Sequence, residues 1–276
     1  MKKIFLVALL TTLALSLTID DARKDFNLGN IKSALIKFER LCNDNNKDAC
    51  NILGVMYYEG KILKQNYTNA MYYLNKACDN EEQGSCYILA FMYENAQGTD
   101  KNSFKAYDIY KKSCDKKYLQ SCEKIADFYK NGTGVRQNIS KSLEIYSKNC
   151  EKNLYSSCMI AADIFINSKF NIKQDIMKGI SLLENACSKS YANSCNTLEN
   201  LYPKLTQEQL KKALSLKHKL CMNKNAKSCE QLGKIYANID NSRKNLEISK
   251  EYFGKACDLR SEAGCKSYKI LNENGI

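Results

Sequence analysis

The chain holds a single histidine, His218, and nowhere the spacing Cys-x-x-Cys. Zinc sites draw on several Cys or His ligands, usually in closely spaced pairs, so a metal centre is not expected and no cofactor is called for. No apolar run reaches the roughly 20 residues a membrane-spanning helix needs. The positive charge never gathers into a block of five or more, and Ser-Asp-Asn and Lys-Thr-Gly, which accompany Ser-x-x-Lys in penicillin-recognising enzymes, are both missing. Proline occurs once, at Pro203.

The apolar stretch that does exist runs from Ile4 to Leu17, behind Lys2 and Lys3, with Ala14-Leu15-Ser16 as a small-x-small cleavage site and Asp20 and Asp21 beyond. At about 1.5 Å per residue it falls short of a roughly 30 Å bilayer core and reads as a secretory leader over residues 1–16. Loss of Lys2 and Lys3 with that leader takes the formal charge of +12 down to +10. A secreted or periplasmic chain with scattered lysines presents a solvated basic surface, and nucleic acid is not the expected partner.

Cysteine, by contrast, is abundant. Fourteen cysteines form seven pairs, each with the second residue eight after the first: Cys42 with Cys50, Cys78 with Cys86, Cys114 with Cys122, Cys150 with Cys158, Cys187 with Cys195, Cys221 with Cys229 and Cys257 with Cys265. The first members recur at steps of 36, 36, 36, 37, 34 and 36 residues, the mark of a repeat protein. An exported chain with evenly paired cysteines points to disulfides. Eight residues along one helix would separate a pair by about 12 Å, beyond the roughly 4.4 to 6.8 Å a disulfide spans, so the chain must reverse between them. Segments such as Asn43 to Ala49 and Asp79 to Ser85 are polar and turn-forming, in agreement. The residue before each second cysteine is small (Ala49, Ser85, Ser121, Ser157, Ser194, Ser228, Gly264), which suits a helix N-cap or close packing.

Counting from the second cysteine, apolar residues stand at plus three and plus six, a mostly small residue at plus four, and an aromatic at plus seven: Tyr57, Tyr93, Tyr129, Phe165, Tyr202 and Tyr236. Steps of three and four define one face of a first helix. A break near plus ten, at Gly60 and at Gly132-Thr-Gly134, precedes a second helix with a small residue eight before the next cysteine. Two helices of about a dozen residues plus two turns account for the pitch, and the fold class is all-α, an α-solenoid of tandem helix-turn-helix repeats stapled by disulfides. The expected organisation is one solenoid domain over 17–276, with helix pairs at 18–47, 48–83, 84–119, 120–155, 156–192, 193–226 and 227–262 and a capping helix at 263–274. The repeat between Cys195 and Cys221 departs from the pattern, with Glu199 at the small position, Pro203 after Tyr202, and Thr206 to Gln209 as a capping box restarting its second helix.

Gly54-x-x-Tyr57-x-x-Gly60 followed by Ala70-x-x-Tyr73-x-x-x-Ala77-Cys78 resembles the Sel1-like repeat, a relative of the tetratricopeptide repeat. With one C-x7-C staple per repeat and a leader, the chain resembles the Helicobacter cysteine-rich protein family over about residues 18–274. That resemblance implies penicillin binding and weak β-lactamase activity.

Two function classes follow. The first is a binding scaffold, monomeric, taking a peptide-like ligand or protein partner on its concave face, with peptidoglycan fragments, host protein and β-lactams among the candidates. At plus nine, Asn95, Asn131, Asn167 and Asn238 form a row whose amides carry donor and acceptor, as pairing with a peptide backbone requires. Asparagine equally suits the end of a helix, and Asn131-Gly132 reads as such a cap. The plus-five row (Val55, Phe91, Asp127, Asp163, Asn200, Lys234) varies most and is the expected carrier of specificity. The second class is a β-lactam hydrolase. Ser113-Cys-Asp-Lys116 and Ser121-Cys-Glu-Lys124 match Ser-x-x-Lys but overlap the staples, and Tyr-x-Asn at Tyr93, Tyr129 and Tyr236 is generated by the repeat itself. His218, between Lys217 and Lys219, reads as an exposed side chain rather than a general base.

Overall fold

A computed structural model describes residues 17–240 and 242–276. The leader expected over 1–16 lies outside them. The described residues hold fifteen α-helices and no strand, and none of these helices is long and apolar enough to cross a membrane. They fall into two compact units, divided along the chain between Gln137 and Asn138. The first carries α1 (Ile19–Asn27), α2 (Ile31–Asn43), α3 (Lys47–Glu59), α4 (Tyr67–Asp79), α5 (Gln83–Glu94), α6 (Ser103–Asp115) and α7 (Leu119–Asn131). The second carries α8 (Ile139–Glu151), α9 (Tyr155–Ile166), α10 (Ile176–Ser188), α11 (Ala192–Leu201), α12 (Gln207–Met222), α13 (Ala226–Ile239), α14 (Arg243–Asp258) and α15 (Glu262–Glu273).

All seven cysteine pairs are disulfides, joined as the spacing predicts. In the first unit Cys42 bonds to Cys50, Cys78 to Cys86 and Cys114 to Cys122, with Cα separations of 4.7, 4.7 and 4.6 Å. In the second unit Cys150 bonds to Cys158, Cys187 to Cys195 and Cys221 to Cys229, each at 4.8 Å, and Cys257 bonds to Cys265 at 4.4 Å. Each bridge closes over the same link. At the end of α2 the N–H of Asn45 donates to the Cys42 carbonyl at 3.0 Å and that of Asn46 to the Leu41 carbonyl at 2.9 Å, the two bonds of a Schellman motif. The motif needs a left-handed residue, and three positions after each first cysteine one is found: Asn45, Glu81, Lys117, Asn153, Ser190, Lys224 and Arg260, with φ from 62° to 69°. None is glycine. The residue that follows is already the N-cap of the next helix. Eight residues are thus a last turn, a reversal without a spare residue, and a first turn.

The small residue before each second cysteine is the third residue of its helix and is buried, so close packing is its role. A Cβ on Gly264 would come within 2.7 Å of the Ala256 Cβ. The N-cap lies three residues earlier. Asn46, Asn225 and Ser261 accept the N–H of Ala49, Ser228 and Gly264 at 3.0, 2.9 and 3.0 Å, and Glu82 caps Ser85 in the same way. Tyr118, Leu154 and Tyr191 offer no such acceptor. Tyr118 and Tyr191 instead set their rings against Tyr87 and Tyr155. The second helices start on a row of their own, Asn66, Asn102, Asn138 and Asp175, each accepting a backbone N–H three residues on.

In the first unit the plus-three and plus-six residues Leu53, Leu89, Ile125, Met56, Met92 and Phe128 are buried, and small residues Ala34, Ala70 and Ala106 let the second helices approach. The aromatic row is held from the side: Tyr57 stacks on Tyr73 at 5.7 Å, and Lys105 lies 4.3 Å from the Tyr93 ring centre. Gly134 has φ 64°, and a Cβ there would meet the Ser103 carbonyl oxygen at 2.5 Å, so only glycine suits that turn.

The second unit builds its core from Ala162, Ile180, Leu183, Leu198, Leu214, Leu232 and their neighbours. Here Tyr236 stacks on Tyr252 at 5.6 Å and Lys178 covers Phe165 at 4.4 Å. The irregular repeat is visible as a shortened α11 of ten residues that runs into a turn of 3₁₀-helix at Tyr202–Lys204. Thr206 and Gln209 then form the expected capping box and α12 restarts. In the regular repeats the plus-six residue is buried, but here Leu201 is only half-buried and Tyr202 goes in instead.

Candidate ligand-binding surface

The apolar plus-three and plus-six rows are spent on the core in the regular repeats, and the aromatic plus-seven row is buried or half-buried, whereas the rows the repeat leaves free lie towards the surface of the first helices. Val55, Phe91, Asp127 and Asp163 of the plus-five row are half-buried, and Asn200 and Lys234 are exposed. In the first unit a cavity of 260 Å³ opens on α3, between Asn51, Val55, Met56, Glu59 and the exposed Ile62. It joins the plus-five and plus-nine positions of that repeat.

Asn95, Asn131, Asn167 and Asn238 are all exposed at the ends of first helices. The Asn95 amide donates to the Phe91 carbonyl at 2.9 Å, and that of Asn167 to Asp163 Oδ1 at 2.7 Å, each within its own helix end. The first caps a helix carbonyl and the second holds a carboxylate, and both side-chain oxygens remain as acceptors.

The second unit carries a 230 Å³ cavity where the irregular repeat meets its neighbours. Glu184 enters from α10, Leu198 and Glu199 from α11, Lys217 from α12, and Lys234 and Ile235 from α13, with the bridge between Cys187 and Cys195 as one wall. Inside it the Tyr202 hydroxyl donates to Glu184 Oε1 at 3.0 Å, and Lys217 forms an ion pair with the same oxygen. Burial, with the Glu184 carboxylate adding to it, pushes the Tyr202 phenol far above its usual range. A second, larger cavity of 610 Å³ has Leu210, Leu214 and Leu232 as its floor and Tyr236, Tyr252 and His218 on its walls. His218 is exposed, with Nδ1 2.7 Å from the Tyr252 hydroxyl, and Tyr252 is pushed up to about 12 by its burial and by Tyr236. Neither Glu184 nor the role of Tyr202 beyond the aromatic row was singled out in the sequence; the unique proline was the signal that pointed to their neighbourhood.

The Ser-x-x-Lys serines are placed where no substrate reaches them. Ser113 and Ser121 are both 0% exposed; Ser121 Oγ donates to Ser113 Oγ at 2.9 Å, and Ser113 donates to the Gln83 carbonyl at 3.4 Å. They are packing residues of the staple, hydrogen-bonded as buried hydroxyls must be. Among the described residues no group of three or more His, Cys, Asp or Glu side chains is arranged to hold a metal ion.

Tandem helix pairs, one disulfide per repeat and a surface of unrepeated residues define a stapled repeat scaffold. A family model, the Sel1 repeat, matches residues 47–81, 84–118, 119–154, 157–191 and 226–261, and the chain belongs to the Sel1 repeat family. The matched stretches pass over the irregular repeat. A Sel1 repeat protein from Oxalobacter formigenes has a similar structure, with a TM-score of 0.62 and 19% identity over 87% of this chain and 99% of that one. So does a protective antigen present in uropathogenic Escherichia coli strains, with a TM-score of 0.57 and 21% identity over 88% of this chain and 52% of that one. Both likenesses concern the fold. An uncharacterized protein of Haemophilus influenzae is 53% identical over 30 residues, which are 11% of this chain and 58% of that relative's length.

Proposed function

We propose that the chain is an exported scaffold that binds peptide-like ligands, peptidoglycan-derived or from host protein, on the first-helix surface of its repeats. The observation that carries this reading is the division of labour along those helices: the constant plus-three and plus-six rows pack inward in the regular repeats, and the variable plus-five residues are half-buried or exposed, with Val55 and Lys234 lining a cavity in each unit. A binding scaffold spreads its contacts over several repeats, whereas hydrolysis requires one reachable nucleophile or base. The burial of Ser113 and Ser121 speaks for the first. A β-lactam, as a mimic of a peptidoglycan peptide, falls within the same ligand class and is bound without efficient turnover. Disulfides in every repeat, with no free cysteine among the described residues, are consistent with a protein that works outside the cytoplasm, and secretion or residence in the periplasm belongs to this proposal. Within it, the Asn95, Asn131, Asn167 and Asn238 amides contact the ligand backbone.

Fluorescence anisotropy with labelled unstructured peptides and labelled muropeptides tests the reading on the oxidised protein. Saturable binding is expected for at least one class, weakened by joint replacement of Asn95, Asn131 and Asn167 with alanine while circular dichroism is unchanged. Binding indifferent to that replacement removes the asparagine row. No saturable binding of either class overturns the scaffold reading.

A further inference from the structure

The cavity of the irregular repeat is charged in an unequal way. Four charged side chains line it: Glu184, Glu199, Lys217 and Lys234. Lys217 is engaged with Glu184, which also accepts from Tyr202, and Lys234 pairs with Glu230 at 2.5 Å. Among the described residues Glu199 makes no ion pair and is exposed at the cavity. Both cations therefore already have a carboxylate partner, and one carboxylate is left without a cation to face whatever enters. It stands at plus four, where Gly54, Ala90, Ala126, Ala162 and Gly233 are small and buried to admit a neighbouring helix. Glu199 is instead exposed, two residues before α11 ends at Leu201.

From this geometry we infer that the cavity takes one basic side chain of a bound peptide, its charged head on Glu199 and its methylenes along Leu198, Ile235 and the bridge between Cys187 and Cys195. The inference rests on the peptide-binding reading and names what one position of the peptide must be. Size agrees with it. A volume of 230 Å³ lies below the roughly 300 to 1,000 Å³ of small-molecule sites, so it suits one side chain and no drug-sized ligand. Chemistry agrees as well: long basic side chains lay an apolar stem along apolar walls and keep the charge at the wetter end, where Glu199 is. An acidic side chain would meet Glu199 and find both lysines occupied. The walls are held in advance by the disulfide and by the Glu184, Lys217 and Tyr202 cluster, so little ordering is needed on binding.

A random dodecapeptide library displayed on phage, selected against the immobilised oxidised full chain and in parallel against its Glu199→Gln variant, tests this. The expected result is enrichment of Lys or Arg at one fixed position with the native protein and loss of that enrichment with the variant. A synthetic copy of a selected peptide should bind about tenfold more weakly when its basic residue is replaced by norleucine, and about tenfold more weakly to Glu199→Gln, with no further loss when the two changes are combined. Glu199→Lys should shift selection towards Asp or Glu at the same position. Peptides selected without a basic residue, or a basic preference that survives in Glu199→Gln, overturn the pocket while leaving peptide binding in place. Failure to select any peptide overturns the peptide-binding reading itself, and the pocket with it.

Discussion

The backbone N–H of Asn46 donates to the Leu41 carbonyl at 2.9 Å, so the residue that opens α3 is also the one that closes α2. Its side chain then accepts the N–H of Ala49. One residue serves two helix ends, and the disulfide from Cys42 to Cys50 closes around it. Replacing Asn46 with alanine keeps the backbone bond and removes the cap. The expected loss is about 1 kcal/mol in urea unfolding, most of it restored by Asn46→Ser. An unchanged midpoint would show that the cap adds nothing to a link already closed by its disulfide.

Lys117 occupies the left-handed position of the third link, with φ 69°. For a side chain other than glycine or asparagine this conformation costs about 1 kcal/mol or more. Lys117→Gly is expected to raise stability by about 0.5 kcal/mol, the relief being partly offset by the greater freedom of glycine in the unfolded chain. Lys117→Val should lower it by about 1 kcal/mol, because a β-branched side chain suits that region least. Equal stabilities for all three would contradict the assignment of the link.

A nine-residue closed loop contributes roughly 2 to 3 kcal/mol in the chain-constraint picture. Joint replacement of Cys114 and Cys122 by serine should cost about that much, and locally, since each repeat of a solenoid leans on its neighbours alone. Hydrogen exchange is expected to accelerate in α6 and α7 while α14 and α15, joined by their own bridge from Cys257 to Cys265, keep their protection. A uniform loss of protection throughout the chain would contradict local support.

Tyr110 is fully buried and donates to Glu94 Oε2 at 3.0 Å; burial above all, and then the carboxylate, hold its phenol well above the usual 10.0. Tyr202 is in the same position beside Glu184. Because both folded-state values are raised, their contribution is complete below the unfolded value and is lost as pH climbs through and above it, when only the unfolded chain releases the proton. Phenolate absorbance should therefore show a fraction of the tyrosines ionising together with loss of helix, at alkaline pH. Tyr110→Phe with Tyr202→Phe should reduce that fraction, leaving Tyr107, Tyr252 and the fully buried Tyr146 in it. Full titration of every tyrosine in a still helical protein would contradict the burial.

Much of the frame was legible because covalent spacing and a repeated pattern are properties of sequence. C-x7-C forces a reversal, and the plus-three, plus-six and plus-seven rows identify a helix face wherever they recur. What escaped was local bonding. Whether Ser85 or Ser121 caps a helix or fills a gap depends on which residue turns left-handed, and Glu81 and Lys117 carry no glycine signal to say so. The N-caps escaped because they do not repeat: Asn46 and Ser261 look like caps, Tyr118 and Leu154 do not. Asn95 and Asn167 illustrate the limit for the surface, since one amide suits a helix end and a ligand equally until its partner is seen. The cavity at Glu199 needed four helices brought together. The sequence marked the place only by its exception, a proline and a carboxylate where the other repeats have neither.

The central claim is that the staples fix a frame and that recognition belongs to the unrepeated positions of several repeats. The most direct measurement is the affinity of one selected peptide for a set of single alanine variants at Val55, Phe91, Asp127, Asp163 and Lys234, each checked for unchanged thermal unfolding. The account predicts that variants in more than one repeat weaken binding, each by a few-fold, with the fold intact. Affinity untouched by all five, or abolished by one alone while the others are silent, would contradict it.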